Sequence, residues 1–472
     1  MRGSLISPDP ASSTPLVTQI VDQITQKIHN RTLENGTRLP SLRRLANEHG
    51  VSLLTVSNAY NRLVASGLLE ARRASGYFVL GPSSPPGPSD LSPPHPVEIS
   101  VDSDWLLQYA YDGDPDIIRA GCGWLPDDYL FTDGIKNALS RLARKPDAAL
   151  FAYGNPRGHE GLRDHVRLSL SRQGIRCDLS SIVLTHGASQ ALELVIRVLT
   201  SPGDSVLIED PGYCNLFPLL QAAGVQIFSI PRLADGPCIE TLEHVLASTQ
   251  PRLFIINTRL HNPTGSSCSA ANIHQILNLA EKHNFMIAED DIFGQMADEK
   301  TLSFAHLDQL KRVIYISSFS KTISPGLRVG YMAMPSALLP SLLRLKMASS
   351  LTSCSVSESV TAAILSEGRY RHHLTHLKER LSMARKGTLA KMDQAGLIPF
   401  LRPEGGMFLW ARLPTDADIS TLTAQGLREG IMLAPGSCFR PGQSASPWLR
   451  FNAAHANNER VFNFLRKKMN CS

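Results

Sequence analysis

Apolar residues recur every three to four positions at Leu16, Val17, Ile20, Val21, Ile24 and Ile28, a spacing that lines one side of a helix. The same period returns twice. Ser41, after Pro40, is placed to cap a second helix with Leu42, Leu45 and Ala46 on its apolar side and Gly50 at its end. Ser52 is placed to cap a third, with Val56, Ala59, Tyr60, Leu63 and Val64 inward and Gly67 as its stop. Two short helices joined by a tight turn predict a helix-turn-helix. Leu68–Arg72 and Gly76–Leu80 then read as strands around Arg73, Ala74 and Ser75, a small basic hairpin or wing.

Beyond residue 100 the pattern changes. Short apolar runs (SIVLTHG, SVLIED, RLFIIN, FMIAED, VIYISSFS) alternate with helical stretches such as SQALELVIRVLT and Leu216–Ala223. Strand and helix in alternation predict an α/β unit with a mostly parallel sheet covered on both faces. Ligands of such sheets sit at the carboxyl ends of the strands, so the loop residues just after these runs are the candidates for chemistry.

Between the two patterns, GPSSPPGPSDLSPPHP from Gly81 to Pro96 holds seven prolines in sixteen residues, which removes backbone donors and keeps a chain extended. The expected organisation is therefore a helix-turn-helix head at 1–80, a linker at 81–100 and a large α/β domain at 101–472. Charge follows the same division. Residues 1–80 carry nine Lys/Arg against five Asp/Glu, so most of the net +5 of the 472-residue chain sits in the head, pointing to a polyanionic partner. No apolar run approaches the roughly 18 residues of a membrane helix, and the first residues lack a signal-peptide core; a cytoplasmic protein is expected. The eight cysteines form no CxxC pair or zinc-like spacing, as suits free thiols in a reducing compartment, and no metal site is expected.

The third helix leaves Thr55, Ser57, Asn58, Asn61 and Arg62 on its polar side, with Arg43 near the start of the second. Short hydrogen-bonding side chains plus arginine suit a helix lying in the major groove. Glu34 to Val79, with RLPSLRRLA, TVSNAY and SGYFV, resembles the winged helix-turn-helix of GntR regulators almost throughout. The resemblance implies Arg43, Ser52, Thr55, Asn58, Arg62 and the wing Arg73 as the DNA-contacting positions. Leu53 and Leu54 depart from it at the head of the helix, where readout would be weaker or apolar, for instance against a thymine methyl.

From about Gly121 onward, a series of motifs in order resembles fold-type I pyridoxal-phosphate enzymes of the class I aminotransferase group. Lys321, in SSFSKTISPGLRVGY with Ser318 and Ser320 beside it, is the lysine placed to form a Schiff base with the cofactor aldehyde, and Arg328 meets the phosphate. Asp290 in IAEDDIF pairs with the pyridine nitrogen; Asp291 competes for that role, and the spacing D-x-x-aromatic selects Asp290 with Phe293 as the aromatic. Asn262 in HNPTG donates to the ring oxygen, Gly187, Ala188 and Ser189 offer backbone amides to the phosphate, and Tyr213 stacks on the ring. Tyr153 is similar to the tyrosine that reaches the neighbouring subunit's phosphate, implying a homodimer, and Arg450 to the arginine that clamps a substrate carboxylate. Phe293 stands where a tyrosine hydroxyl would also bond the ring oxygen, which puts efficient transamination in doubt.

A GntR head, a proline linker and an aminotransferase-like domain together resemble the MocR branch of bacterial GntR regulators. That implies a multidomain protein, a mainly α winged helix-turn-helix joined to an α/β fold-type I domain. Its function would be transcription regulation, with pyridoxal 5′-phosphate bound and an amino acid, amine or the cofactor itself sensed. The alternative is a working aminotransferase carrying a DNA-binding head.

Overall fold

The computed structural model describes residues 6–9, 12, 14–30, 32–66, 68–72, 76–79, 114–144, 151–414 and 418–469. The chain divides into two compact units, Met1–Glu98 and Ile99–Ser472. The wing residue Arg73, the helix stop Gly67 and the proline-rich stretch lie outside the described residues.

In the first unit, helices α1 (Leu16–His29), α2 (Leu42–His49) and α3 (Leu53–Ala65) precede strands β1 (Leu69–Arg72) and β2 (Gly76–Val79). Ile20, Ile24 and Ile28 of α1 are buried with Leu45 and Ala46 of α2 and with Val56, Ala59, Tyr60 and Leu63 of α3 in one core. The expected caps form: the Ser41 hydroxyl accepts from the Arg44 amide at 3.3 Å and the Ser52 hydroxyl from the Thr55 amide at 3.0 Å. Gly50 ends α2 in the left-handed region, φ 63°, where a side chain is strained. The wing strands pair antiparallel with Leu69 opposite Val79. A third segment joins them unannounced by any alternation: Leu39 N donates to Tyr77 O and Val79 N to Thr37 O, both at 2.9 Å.

The second unit holds an eight-stranded sheet in the order β3-β10-β9-β8-β7-β4-β5-β6. The strands are β3 (Ile182–Thr185), β4 (Ser205–Asp210), β5 (Gln226–Leu233), β6 (Gly236–Pro237), β7 (Leu253–Ile256), β8 (Met286–Asp290), β9 (Val313–Ser318) and β10 (Gly330–Ala333). Strands β9, β8, β7, β4 and β5 run parallel, while β10 runs against both its neighbours. Alternate residues go to opposite faces, so Leu184, Val313 and Tyr315 enter one core and Val183, Ile314 and Ile316 the other. Both faces are covered, which is why these strands read as unbroken apolar runs. A smaller sheet, β11 (Ile398–Pro399), β12 (Phe408–Arg412), β13 (Ala434–Pro435) and β14 (Trp448–Asn452), has its own core with Leu409, Leu449 and Phe451. This is the small lobe that the resemblance implied; its strands leave little periodic trace in the sequence, two of the four being only two residues long.

Candidate cofactor and effector site

The carboxyl ends of β3, β4, β7, β8 and β9 lie along one edge of the large sheet. Because β10 runs the other way, its entry at Arg328 and Gly330 reaches the same edge. A cavity of about 1100 Å³ opens there, lined among others by Ala188, Ser189, Tyr213, Asp290, Ser318, Ser320, Lys321 and Arg328. Four segments far apart in sequence thus bring these residues together.

Strand alternation separates the two aspartates that sequence left in competition. Asp291 turns away into a buried pair with Arg259, whose Nε donates at 3.0 Å, and accepts the Tyr315 hydroxyl at 2.7 Å. Asp290 faces the cavity, is 6% exposed, and its Oδ1 has no hydrogen-bond partner. Burial, followed by the neighbouring Asp291 charge, pushes the Asp290 carboxyl up to about 7. A buried acceptor left open in this way calls for a donor from a ligand.

Lys321 extends from the loop after β9 and donates through Nζ to the Gly123 carbonyl at 2.7 Å. Burial lowers its amine to about 8; Arg450 and Arg328 lower it too, while Asp290 works the other way. An amine in that range is partly neutral near pH 7, as a nucleophile must be.

At the other end of the cavity a helix, α4 (Gly187–Leu199), starts directly after β3. Gly187 has φ 78°, and a Cβ there would fall 2.6 Å from Arg328 Nη2, which itself donates to His186 O at 3.1 Å. A Cβ on Gly330 would fall 2.5 Å from the Gly187 carbonyl carbon. The two glycines let an arginine and a helix N-terminus converge, an arrangement that suits a phosphate.

Arg450, on β14, is buried and stacks between the Phe408 and Phe439 rings, 4.7 and 4.5 Å from their centroids. Its Nη2 donates to Gly121 O at 2.7 Å and its Nη1 to Asn262 Oδ1 at 2.8 Å, both neutral oxygens. Asn262 is thereby an acceptor for Arg450 as well as a candidate donor to a ring oxygen. Tyr213 shares the cavity wall with Ser189 and Asn215. Tyr153 stands apart from its own chain's cavity, 84% exposed.

One expectation needs correction. Phe293 does not face the cavity; it is buried against Phe408, ring centroids 5.4 Å apart, beside Leu260 and Met296, and Ile292 takes the wall position. β8 ends at Asp290 and the chain turns through Ile292 and Phe293 before the 3-10 segment Gly294–Met296, so strand alternation does not carry on to Phe293. Ile292, like Phe293, brings no hydroxyl to that position.

Other contributors went unread in the sequence. Asn257 accepts from the Asn262 amide at 2.7 Å, donates to Asp290 O at 2.5 Å, and its own amide donates to Glu209 at 2.7 Å. It locks the loops of the two candidate ring contacts, over a buried Glu209–Arg232 pair. The strap at Gly121 and Gly123 accepts from Arg450 and Lys321. Its paired glycines were the available signal, since a Cβ on Gly121 would fall 2.3 Å from Ala434 N.

Residues 127–467 match the family described as aminotransferase class I and II. The chain belongs to that family. Residues 16–79 match the bacterial regulatory proteins of the gntR family, so a GntR helix-turn-helix is joined to an aminotransferase fold, and a head of that kind implies DNA binding. Among relatives, a protein named an uncharacterized HTH-type transcriptional regulator, YjiR of Escherichia coli (strain K12), is 29% identical over 93% of this chain and 94% of its own length. The 2-aminoadipate transaminase of Thermus thermophilus is 26% identical over 74% of this chain and 89% of its own. In structure, the Pyrococcus horikoshii kynurenine aminotransferase superposes with a TM-score of 0.71 at 24% identity, covering 77% of this chain and 92% of that one, which establishes the fold. Members of this family use pyridoxal phosphate. Among the described residues no helix is long and apolar enough to cross a membrane.

Proposed function

We propose that the chain is a transcription regulator whose aminotransferase-like unit binds pyridoxal 5′-phosphate and senses an amino acid or amine. One observation carries the reading: the chain that bears a GntR head also holds a cavity with a buried, unpartnered Asp290 oxygen and the depressed Lys321 amine on its wall. The residues present fit the cofactor. Pyridoxal phosphate, when bound, supplies an aldehyde and an electron-withdrawing ring. Asp290 would hold the proton of the pyridine nitrogen, which answers its open acceptor. Lys321 would make the covalent bond. The amides of Gly187, Ala188 and Ser189, the Ser318 and Ser320 hydroxyls and Arg328 would hold the phosphate. Tyr213 would pack on the ring, and Asn262 would contact its phenolic oxygen. Arg450 would take an effector carboxylate, trading neutral oxygens for a charged one. The exposure of Tyr153 and its neighbour Phe151 supports a homodimer in which this loop meets a second copy. In the head, the exposed Arg43, Asn58 and Arg62 and the capping Ser52 and Thr55 would meet the DNA.

The test is a screen of amino acids and amines against the full-length protein, reading cofactor absorbance and then operator affinity. The expected result is a spectral change that saturates without keto-acid release and shifts DNA affinity. Turnover at about 1 per second or faster with DNA affinity unmoved would replace the sensor by the second reading, an aminotransferase with a DNA-binding head, which the low Lys321 pKa favours. Borohydride reduction and peptide mapping would place the pyridoxyl group on Lys321; an adduct on another lysine defeats the assignment.

A further inference from the structure

Helix α3 buries Val56, Ala59, Tyr60 and Leu63 on one side. Counting by helical turns along the other side gives Leu54, Asn58 and Arg62 at i, i+4 and i+8, all exposed. Leu54 is 70% exposed and its neighbour Leu53 48%, so two consecutive leucines of the first turn face solvent. A lone exposed leucine is ordinary. These two differ in position: Leu54 shares its stripe with an amide and a guanidinium, the side chains that read and anchor DNA, and both stand in the turn of a recognition helix that meets base edges first. The polar groups beside them are partly spent, since the Ser52 and Thr55 hydroxyls bond each other at 2.7 Å and Ser52 Oγ also takes the Thr55 amide.

We infer that Leu53 and Leu54 are specificity-determining residues that read thymine through its C5 methyl group. The inference rests on the DNA-binding reading. In the major groove the thymine methyl is the apolar group that a base edge presents, and a leucine side chain can neither donate nor accept a hydrogen bond there. Burying one methyl is worth about a fourfold change in affinity. The operator half-site therefore carries thymine where the amino end of α3 enters the groove.

The experiment selects duplexes from a random pool with the full-length protein, then replaces each thymine of the selected site by uracil, which removes the methyl and leaves pairing intact. One or two positions should each weaken binding about fourfold. Leu54→Ser and Leu53→Ser should abolish the thymine-to-uracil difference at their respective positions; both side chains lie outside the core, so folding is not at stake. A selected site that binds equally well with uracil throughout overturns the inference while leaving DNA binding intact. Selection of no duplex at all overturns the DNA-binding reading and this inference with it. Self-association that disappears in the serine variants, with no methyl dependence, would assign the two leucines to a contact between copies and also overturn it.

Discussion

Replacing Asp290 with asparagine tests the central feature of the cavity, because the same change should strengthen one property and weaken another. The carboxyl is raised from an ordinary 3.8 to about 7, chiefly by burial. A carboxyl so raised keeps its proton in the folded chain at pH values where the unfolded chain has released it. Folding then takes up a proton, and stability falls as pH climbs from about 4 to about 7. A tenfold change in an acid's ionisation constant is worth about 1.4 kcal/mol, so the ionised Asp290 costs the cofactor-free fold on the order of 4 kcal/mol at pH 8. The amide of Asp290→Asn carries no charge but brings an NH₂ group to the same buried position, and recovers part of this, about 1–3 kcal/mol. Stripped of cofactor, the variant should melt a few degrees above the parent at pH 8 and no higher at pH 5, where Asp290 is already protonated. With cofactor the order reverses: a charge-assisted bond worth about 1.5–3 kcal/mol is lost, and affinity drops by roughly tenfold to a hundredfold. Thermal melts at the two pH values and a cofactor titration read both arms. A variant that melts lower at pH 8 without cofactor, or whose advantage persists at pH 5, would refute the account of Asp290 as an unpaired buried acid.

Arg450 is too tightly packed for a clean alanine test, so Arg450→Lys is the better probe: it should weaken the spectral response to amino acids at least tenfold while leaving decarboxylated amines unchanged, since lysine keeps the charge and loses the bidentate grip. On the head, Arg43→Ala and Arg62→Ala should each reduce the slope of log affinity against log salt by about 0.9, the value of one phosphate contact; an unchanged slope means the side chain does not meet the backbone. Ile292→Tyr should lower the pH midpoint of the cofactor spectrum by adding a hydroxyl at the wall, whereas Phe293→Tyr should leave the midpoint alone and cost about 1–3 kcal/mol of stability for a hydroxyl buried against Phe408; the opposite pairing of results would restore Phe293 to the wall.

The helical head and the parallel strands were legible because burial on one face or on both leaves a periodic or an unbroken apolar trace. The Ser41 and Ser52 caps were legible for a related reason, since a hydroxyl before an apolar period has a local use. Which aspartate faces the cavity was a matter of strand alternation, and the spacing happened to select the one that does, Asp290. The same spacing failed at Phe293, because the strand ends at Asp290 and the turn through Ile292 and Phe293 breaks the period of two. Asn257 left no trace at all. Its three partners lie five, 33 and 48 residues away, and only the packing of β4, β7 and β8 side by side brings them within hydrogen-bond reach.

In the cavity and buried beside it stand groups whose polar needs the protein alone leaves unmet: Asp290 lacks a donor, Lys321 sits below its ordinary pKa, and behind the wall Arg450 has neutral oxygens in place of a carboxylate. A ligand can shift a conformational equilibrium only by as much as it binds the two states differently. In the proposed sensor Arg450 would supply that difference, because it belongs to β14 of the small sheet while its partner Asn262 lies in the loop after β7 of the large one. An effector carboxylate drawn to Arg450 would compete with Asn262 for the same guanidinium, and so would act on a hydrogen bond that ties the two lobes together. Asn262→Ala removes that tie without an effector. If the lobes carry the signal, the variant should show in the absence of amino acid the DNA affinity that the parent reaches only in its presence. A variant whose DNA affinity stays at the parent's unliganded value would send the search for the signal elsewhere.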